Sequence, residues 1–303
     1  MQDPEITWKS WAMVGLLGLV WGGTFMFQEI ALRSTPPFWV ATARIGFAAV
    51  LTWAVWRARG GRMFTSSDSA WGLLFVTSLL SAAMPFMLLA WGQQFVTSGF
   101  TGVSMATVAL IVLPIAHFVI PGERLSWRKT AGFCVGFAGV LVLIGPGALR
   151  PSGDAMELWG RLACIGAAGC YAVSSIIMRR LPPLDPFGLS FATLAFGTLF
   201  VAPLALATHG LPASPGAKGF AVLALIGLVP TAGANLLRIL VIRSAGPVFM
   251  SLTNYQVPLW SVALGILFLG EDFRWSLIAA LGLILVGLAL SQWGAFQRLF
   301  RRA

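Results

Sequence analysis

Residues 121–127 read Pro-Gly-Glu-Arg-Leu-Ser-Trp, and residues 269–275 repeat the motif as Leu-Gly-Glu-Asp-Phe-Arg-Trp. In each copy one apolar stretch ends and another begins, and the shared Gly, Glu and Trp recur 148 residues later. The same interval separates Gly139 from Gly287, so the correspondence extends beyond the motif. A fixed interval of this kind predicts an internal repeat.

The composition around the motif is that of a membrane protein. Hydrophobic residues make up 58% of the chain and charged residues only 10%, whereas soluble domains carry about 25% charged residues. The net charge of +10 comes from basic residues scattered singly between apolar runs. A nucleic-acid site needs basic residues clustered on one face. We therefore expect a polytopic protein of the lipid bilayer, with no nucleic-acid partner.

Ten apolar runs have about the 18 to 25 residues needed to cross a hydrocarbon layer about 30 Å thick. Turn-forming or charged residues separate them. The fold class predicted is therefore all-α, with ten transmembrane helices. The runs lie near residues 9–30, 37–57, 69–92, 97–119, 127–146, 158–180, 187–208, 217–241, 246–269 and 273–295.

The basic residues predict the orientation, because cytoplasmic loops carry excess Lys and Arg. With these spans, 14 basic residues fall on the N-terminal side of the membrane and 5 on the other. We expect a multi-pass protein of the bacterial cytoplasmic membrane with both termini in the cytoplasm. Each half, residues 1–148 and 149–303, has an odd number of spans, so the second half enters the membrane inverted. Inverted repeats with a central substrate cavity between them are typical of secondary transporters.

The motif itself has a structural interpretation. Gly122 and Gly270 can end a helix in the left-handed conformation, and Glu123 and Glu271 would complement the N-terminal dipole of the helix that follows. A role as proton carriers is the weaker alternative. The two acids lie at opposite membrane surfaces in the predicted topology.

Prolines interrupt corresponding helices of the two halves. Pro85 and Pro114 lie in the third and fourth spans, and Pro230 and Pro258 lie in the eighth and ninth. Because proline removes a backbone hydrogen bond, each can bend its helix. The four are hinge candidates, and static kinks that shape the bundle are the alternative.

Small residues at four-residue spacing allow helix backbones to approach closely. Gly18 and Gly22 form one such pair, and Gly132 and Gly136 form another. The first pair either joins spans within one chain or forms a dimer seam. The choice between monomer and homodimer stays open.

Arg44 is the basic residue nearest the middle of a predicted span, and charges inside a membrane are costly. One interpretation pairs it with Glu29 on the neighbouring span. The other places a substrate carboxylate against it. Both remain open at this stage.

The remaining cavity candidates are uncharged polar, aromatic and Met residues at helix positions, which suit an amphipathic organic solute. Packing within the bundle is the alternative for each. The predicted cavity set, including Arg44, is Trp21, Thr24, Gln28, Arg44, Met84, Trp91, Met105, Tyr171, Ser174, Ser175, Asn235, Asn254, Tyr255, Gln256 and Trp260. No cofactor or metal is expected, because neither the cysteines nor the histidines show ligand spacing.

Several stretches resemble the EamA branch of the drug/metabolite transporter superfamily. They are Trp-Gly-Gly-Thr-Phe at residues 21–25, Ala-Arg at 43–44, Arg-Arg-Leu at 179–181 and the run from Val257 to Glu271. Within that branch the chain is most similar to the YddG type of bacterial aromatic amino-acid and methyl-viologen exporter. The resemblance implies a ten-helix bundle of two inverted five-helix repeats that exports amino acids or other metabolites.

We therefore expect a secondary transporter that exports amino acids, preferably aromatic or otherwise apolar, by alternating access. An exporter of drugs or organic cations from the same superfamily is the first rival. It would need an acid that reaches the cavity, and Glu29 is the available one. A membrane-embedded enzyme is a remote alternative, since the acids lie almost all in tails or loop ends and the two histidines have no partner motif. No enzymatic activity is expected.

Overall fold

The computed structural model describes residues 7–61, 63–64, 69–119, 126–144 and 155–300. Within these ranges the regular structure is helical, and one isolated bridge joins Phe64 to Leu184. The α-helices are α1 Trp8–Leu32, α2 Pro37–Ala58, α3 Trp71–Ser78, α4 Met84–Gly92, α5 Ser98–Val119, α6 Trp127–Ile144, α7 Ala155–Met178, α8 Pro186–His209, α9 Gly216–Gly227, α10 Ala234–Met250, α11 Thr253–Leu264 and α12 Trp275–Phe300. Single π-helical turns occupy Leu79–Ala83, Leu228–Gly233 and Gly265–Leu269.

Eight helical segments of the described chain are long and apolar enough to cross a membrane. They confirm an all-helical, multi-pass membrane protein. Two predicted spans, 127–146 and 246–269, are not among the eight, although α6 and residues 253–269 are helical there. The predicted break between spans eight and nine falls at Gly246, whose φ of 86° interrupts α10.

Glycines set the closest helix crossings. A Cβ atom added at Gly287 of α12 would lie 2.5 Å from the carbonyl oxygen of Gly132 in α6. Gly22 of α1 lies against Val257 and Trp260 of α11 in the same way. Lipid provides no hydrophobic drive for helix association, so the packing of closely approaching backbones holds the helices together instead. The predicted packing role of both glycine pairs is confirmed, and the pair on α1 joins helices of one chain.

Two of the π-helical turns lie next to prolines. The turn Leu79–Ala83 immediately precedes α4, whose first turn holds Pro85, and the turn Leu228–Gly233 contains Pro230. The two turns begin 149 residues apart. Pro114 and Pro258 lie inside α5 and α11 without such a turn beside them. Proline and π-helical turns are both recognised causes of helix bending, so we expect the third and eighth predicted spans to bend where these features lie.

The second copy of the repeated motif is described, whereas Gly122 and Glu123 of the first lie outside the described residues. Gly270 has a φ of 68° and ends the preceding π-helical turn, as predicted. The expected role of Glu271 at its own following helix is wrong. Its carboxylate accepts from the backbone N–H groups of Ser98 at 2.6 Å and Gly99 at 3.0 Å, at the start of α5. The left-handed turn at Gly270 directs the acid to a different helix.

Replacing Gly287 by Ala tests the α6–α12 crossing. The new methyl group would collide with the backbone of α6, and overpacking of this kind costs about 1 to 3 kcal/mol. We expect a lower midpoint of thermal unfolding for the detergent-solubilised variant. Gly282→Ala is the matched control on the same helix, because a Cβ there meets no atom of the described part of the chain within 4 Å. A Gly287 variant as stable as the Gly282 control would contradict the crossing.

Candidate functional site

Arg44 of α2 is buried inside the bundle, with 6% of its surface exposed. Its Nη1 donates to Oε1 of Gln28 at 2.8 Å, and its Nε donates to the hydroxyl of Thr231 at 3.0 Å. Gln28 lies on α1 and Thr231 lies in the π-helical turn Leu228–Gly233, so one side chain links three segments. Its guanidinium carbon also lies 4.3 Å from the ring centroid of Phe86.

The local structure around Pro230 explains why Thr231 accepts from Arg44. Because proline has no N–H, the carbonyl of Ile226, four residues earlier, loses its helical partner. The Thr231 hydroxyl donates to that carbonyl at 2.8 Å. With its proton committed, the hydroxyl oxygen can accept the bond from Arg44. The Pro230 carbonyl in turn accepts from the indole N–H of Trp21 at 2.9 Å.

A second line of hydrogen bonds leads from Arg44 toward the end of the bundle. The side-chain N–H of Gln28 donates to Oε1 of Gln93 at 3.0 Å, and Nε2 of Gln93 donates to the carbonyl of Phe25 at 2.6 Å. Both glutamines are buried. Buried amides need such partners, since an unmade bond in a membrane interior is costly. The result is a continuous polar chain from Arg44 to Gln93.

Aromatic rings surround the Arg44 end of this chain. Phe86 packs beneath the guanidinium, and the ring of Tyr171 from α7 meets Phe86 edge to face, with centroids 6.4 Å apart. A guanidinium over an aromatic face is held by the quadrupole of the ring. The cation therefore lies in an environment that is apolar and aromatic on one side and hydrogen-bonded on the other.

Gln93 also lines a cavity of about 860 Å³, which we call the vestibule. It lies where α1 ends and α5 and α7 begin, at the end of the bundle opposite the start of α1. Six charged side chains line it together with Gln93. They are Glu29, Arg33, Glu157, Arg161, Glu271 and Arg274.

Acidic and basic side chains both line the vestibule. Glu29 pairs with Arg33 at 3.7 Å, and Glu157 pairs with Arg161, each within one helix. Arg274 makes no ion pair among the described residues. A second cavity, of about 730 Å³, lies between α2, α8 and the start of α9, and no charged side chain of the described residues lines it. Of these two cavities, the vestibule is therefore the one with groups that can bind a charged solute.

The predicted cavity residues divide into three groups. In the first group, Trp21 and Arg44 bond to the π-helical turn Leu228–Gly233, Gln28 bonds to Arg44, and Tyr171 packs against Phe86 beneath Arg44. None of the predicted residues lines the vestibule. The second group is exposed and consists of Met84, Ser175, Asn254 and Trp260.

The third group lies inside or partly inside the bundle and packs. Thr24 and Ser174 turn their hydroxyls to carbonyls of their own helices. Gln256 lies against Gly18 at the α1–α11 crossing. The others are Trp91, which meets the ring of Phe95, Met105, which packs against the main core, and the half-buried Asn235 and Tyr255.

The pairing of Arg44 with Glu29 does not form. Arg44 bonds the neighbouring residue Gln28, while Glu29 faces Arg33. Successive helix residues point about 100° apart, so only the packing of α1 decides which of the two faces Arg44. Gln93 and Thr231 were not predicted from the sequence. Two sequence signals could have identified them. Gln93 belongs to a pair of glutamines at the end of an apolar run, and Thr231 carries a hydroxyl directly after the intrahelical Pro230.

These features define a multi-pass membrane protein of helices. Its interior contains a buried cation that hydrogen bonds connect to a charged vestibule. The chain belongs to the EamA-like transporter family, whose model matches residues 9–145 and again 158–293. It is therefore a transporter of the drug/metabolite superfamily, which is not a class of enzyme.

Two relatives with similar coverage are named as uncharacterized transporters. The uncharacterized inner membrane transporter YedA of Escherichia coli (strain K12) is 27% identical over 92% of this chain and 89% of its own length. An uncharacterized transporter of Archaeoglobus fulgidus is 24% identical over 87% of this chain and 90% of its own. One solved crystal structure is similar at a TM-score of 0.65 and 18% identity, covering 95% of this chain and 98% of that chain. These similarities support the membrane location and the fold, and they specify no substrate.

Thr231→Val tests the role of the π-helical turn. The change keeps the shape of the side chain but leaves the Ile226 carbonyl and Arg44 Nε without a partner, which costs about 1 to 3 kcal/mol. We expect a lower midpoint of thermal unfolding, and recovery in Thr231→Ser. Thr198→Val is the control, because that hydroxyl bonds only a carbonyl of its own helix. Equal stability of the Thr231→Val and Thr198→Val variants would rule out the proposed support of Arg44.

Proposed function

We propose that this transporter exports amino acids, preferably aromatic or otherwise apolar ones, from the bacterial cytoplasm by alternating access. The observation that carries the proposal is Arg44, a buried cation with aromatic neighbours and no carboxylate partner among the described residues. The bilayer and the small-molecule substrate are its expected partners. Both termini lie in the cytoplasm in this proposal, following the distribution of basic residues.

Ten spans in two inverted repeats, residues 1–148 and 149–303, are part of the proposal. The helix contacts support it. If α1 to α6 correspond in order to α7 to α12, the extensive pairs α2–α8, α5–α11 and α6–α12 each map onto themselves. The pair α1–α11 maps onto α5–α7, and α4–α7 maps onto α1–α10, and all four pairs are present. The two family matches, beginning at residues 9 and 158, support the same correspondence.

The hydrogen bonds of Arg44 favour an anionic group as its functional partner. Nε and Nη1 have neutral acceptors, and Nη2 has no hydrogen-bond partner among the described residues. A buried guanidinium is costly without a counter-ion. A substrate carboxylate would supply that charge and accept in the paired geometry that guanidinium groups favour.

The aromatic neighbours favour the side chain of such a substrate. Phe86 and Tyr171 border the guanidinium. Trp21 donates to Pro230, which lies in the same π-helical turn as the Thr231 that bonds Arg44. An aromatic amino acid would place its ring among these rings and its carboxylate on Arg44. In the present arrangement the Gln28–Gln93 bond lies between Arg44 and the vestibule. Breaking that bond would open a path for the substrate between the vestibule and Arg44.

The rival function is export of an organic cation. It is favoured by the three acids of the vestibule, Glu29, Glu157 and Glu271. Two of them already face arginines, and the third accepts two backbone N–H groups. No described acid lies beside Arg44, where a cation would be repelled. A counterflow panel in proteoliposomes that includes amino acids and methyl viologen separates the two functions.

Arg44→Gln is the direct test of the amino-acid function. Loss of a charge-assisted bond costs about 1.5 to 3 kcal/mol, so we expect amino-acid counterflow to fall about tenfold to a hundredfold. Arg44→Lys should recover part of the rate, because it restores the charge without the planar fork.

Arg179→Gln is the control, since Arg179 is an exposed residue beyond the end of α7. Size-exclusion and thermal-unfolding profiles report whether each variant is folded. A folded Arg44→Gln variant with wild-type counterflow would exclude Arg44 from the substrate site. If the wild type moves no amino acid faster than empty vesicles do, the proposed substrate class is wrong.

A further inference from the structure

The acids of the vestibule do not take part in the Arg44 network, and two of them come from opposite sides of it. Glu29 on α1 and Glu271 after the π-helical turn Gly265–Leu269 line the same cavity. The π-helical turn Gly265–Leu269, which precedes Glu271, packs against α1, and Glu271 is among the charged groups that act on the Glu29 carboxyl group. The two residues come from opposite halves of the chain and join the proposed repeats at the vestibule.

Glu271 is fixed in position by backbone groups. Its two carboxylate oxygens accept from Ser98 N and Gly99 N, and its own N–H donates to the Gly265 carbonyl at 3.2 Å. A carboxylate at a helix N-terminus receives both the free N–H groups and the positive end of the helix dipole. Both of its oxygens therefore already act as acceptors. Glu271 is consequently the acceptor of the pair.

Glu29 is held less completely. Its Oε1 faces Arg33 at 3.7 Å, which is an ion pair but too long for a hydrogen bond. Its Oε2 is buried and has no hydrogen-bond partner among the described residues. A buried polar oxygen without a partner is rare in folded proteins and costs free energy. A proton on this carboxyl group would turn the oxygen into a donor.

Ser98 supplies a second, independent observation. It is fully buried, and its hydroxyl has no hydrogen-bond partner within the described ranges. A Cβ built on Gly265 would lie 2.8 Å from this hydroxyl and 2.5 Å from Oε2 of Glu271. The hydroxyl and the Glu271 carboxylate are therefore directed to the same small space. That space leaves no room for a side chain at position 265.

We propose that Glu29 and Glu271 form a proton-binding pair that holds the end of α1 against the segment 265–271. Ionised carboxylates are acceptors only, so a hydrogen bond between the two groups requires one proton. The proton is carried by Glu29 and donated to Glu271. It comes from water in the vestibule, forms an O–H bond with Glu29, and returns to that water when the bond breaks.

Loss of the proton leaves two negative charges in contact, and adjacent like charges repel strongly in a partly buried site. The end of α1 and the segment 265–271 then separate. The arrangement seen here is accordingly the protonated one, and leaving it requires deprotonation. This inference rests on the proposed alternating-access function, for which it supplies a pH-dependent step.

The surrounding charges do not replace the proton. Arg33 is the cation that interacts with Glu29, and 63% of its side chain is exposed, so solvent screens it. Arg161 is occupied by Glu157. The other titratable groups on this cavity, on α1 or on helices packed against α1 are Arg274, the buried Arg44, the exposed Lys218 at the start of α9, and Lys9, Arg57, His117, Arg238, Arg243 and Tyr255.

Infrared difference spectroscopy tests the pair without any substrate. Purified protein is titrated from mildly acidic to mildly alkaline pH, and the C=O band of a protonated carboxylic acid is followed. We expect a titrating band that is absent in Glu29→Gln and present in Asp272→Asn. Asp272 is the matched control because it adjoins Glu271 but is exposed outside the vestibule lining. A wild-type band unchanged in Glu29→Gln would overturn the proposal.

Counterflow at varied pH on the vestibule side tests the consequence. The protonated-to-ionised ratio of one site changes about tenfold per pH unit, so wild-type counterflow should slow by up to that factor as pH falls. Glu29→Gln keeps a donor to Glu271 permanently, and its rate should be slow and vary less than about twofold over the same range.

Glu29→Asp keeps a titrating group and should restore pH dependence, and Asp272→Asn should keep the wild-type profile. A pH profile that persists in a folded Glu29→Gln variant would contradict the pair. If the wild type transports no amino acid, the proposed function fails, and the infrared result still decides the pair.

Discussion

The guanidinium group of Arg44 constrains the interior of this protein more than any other single group. A cation buried within a membrane-spanning bundle needs hydrogen bonds from its surroundings. Gln28 and Thr231 supply them at 2.8 and 3.0 Å. Thr231 can do so because Pro230 frees a carbonyl for its hydroxyl. The π-helical turn, Gln28 and the ring of Phe86 all contact this one charge.

Close backbone packing provides the frame that holds this network in place. Gly22 brings α1 against α11, and Gly132 and Gly287 bring α6 against α12. These crossings use backbone contact, which is rigid, whereas the π-helical turns and their prolines interrupt regular hydrogen bonding and permit bending. The two π-helical turns that lie next to Pro85 and Pro230 are outside the four helices of these crossings. In the proposed alternating-access cycle, we expect movement of one half against the other to bend α3–α4 and α9–α10 without separating the glycine contacts.

The membrane-spanning helices could be predicted well from the sequence, because apolar runs of that length are rare in soluble domains. Arg44 and Gln28 could also be identified as interior polar residues. The bond of Arg44 to Gln28 rather than to Glu29 could not be predicted, since the rotation of α1 is set by packing on α11. The vestibule was missed for a related reason. Its charged residues come from helix ends far apart in the chain, such as Glu157 and Glu271, and only the folded bundle brings them together.

The most direct measurement is a structure determined with bound phenylalanine. We expect the carboxylate of the ligand to lie within hydrogen-bond distance of the Arg44 guanidinium, with its ring against Phe86 and Tyr171 and the Gln28–Gln93 bond broken. Ligand density confined to the vestibule, with Arg44 still bonded to Gln28 and Thr231, would contradict a substrate site at Arg44.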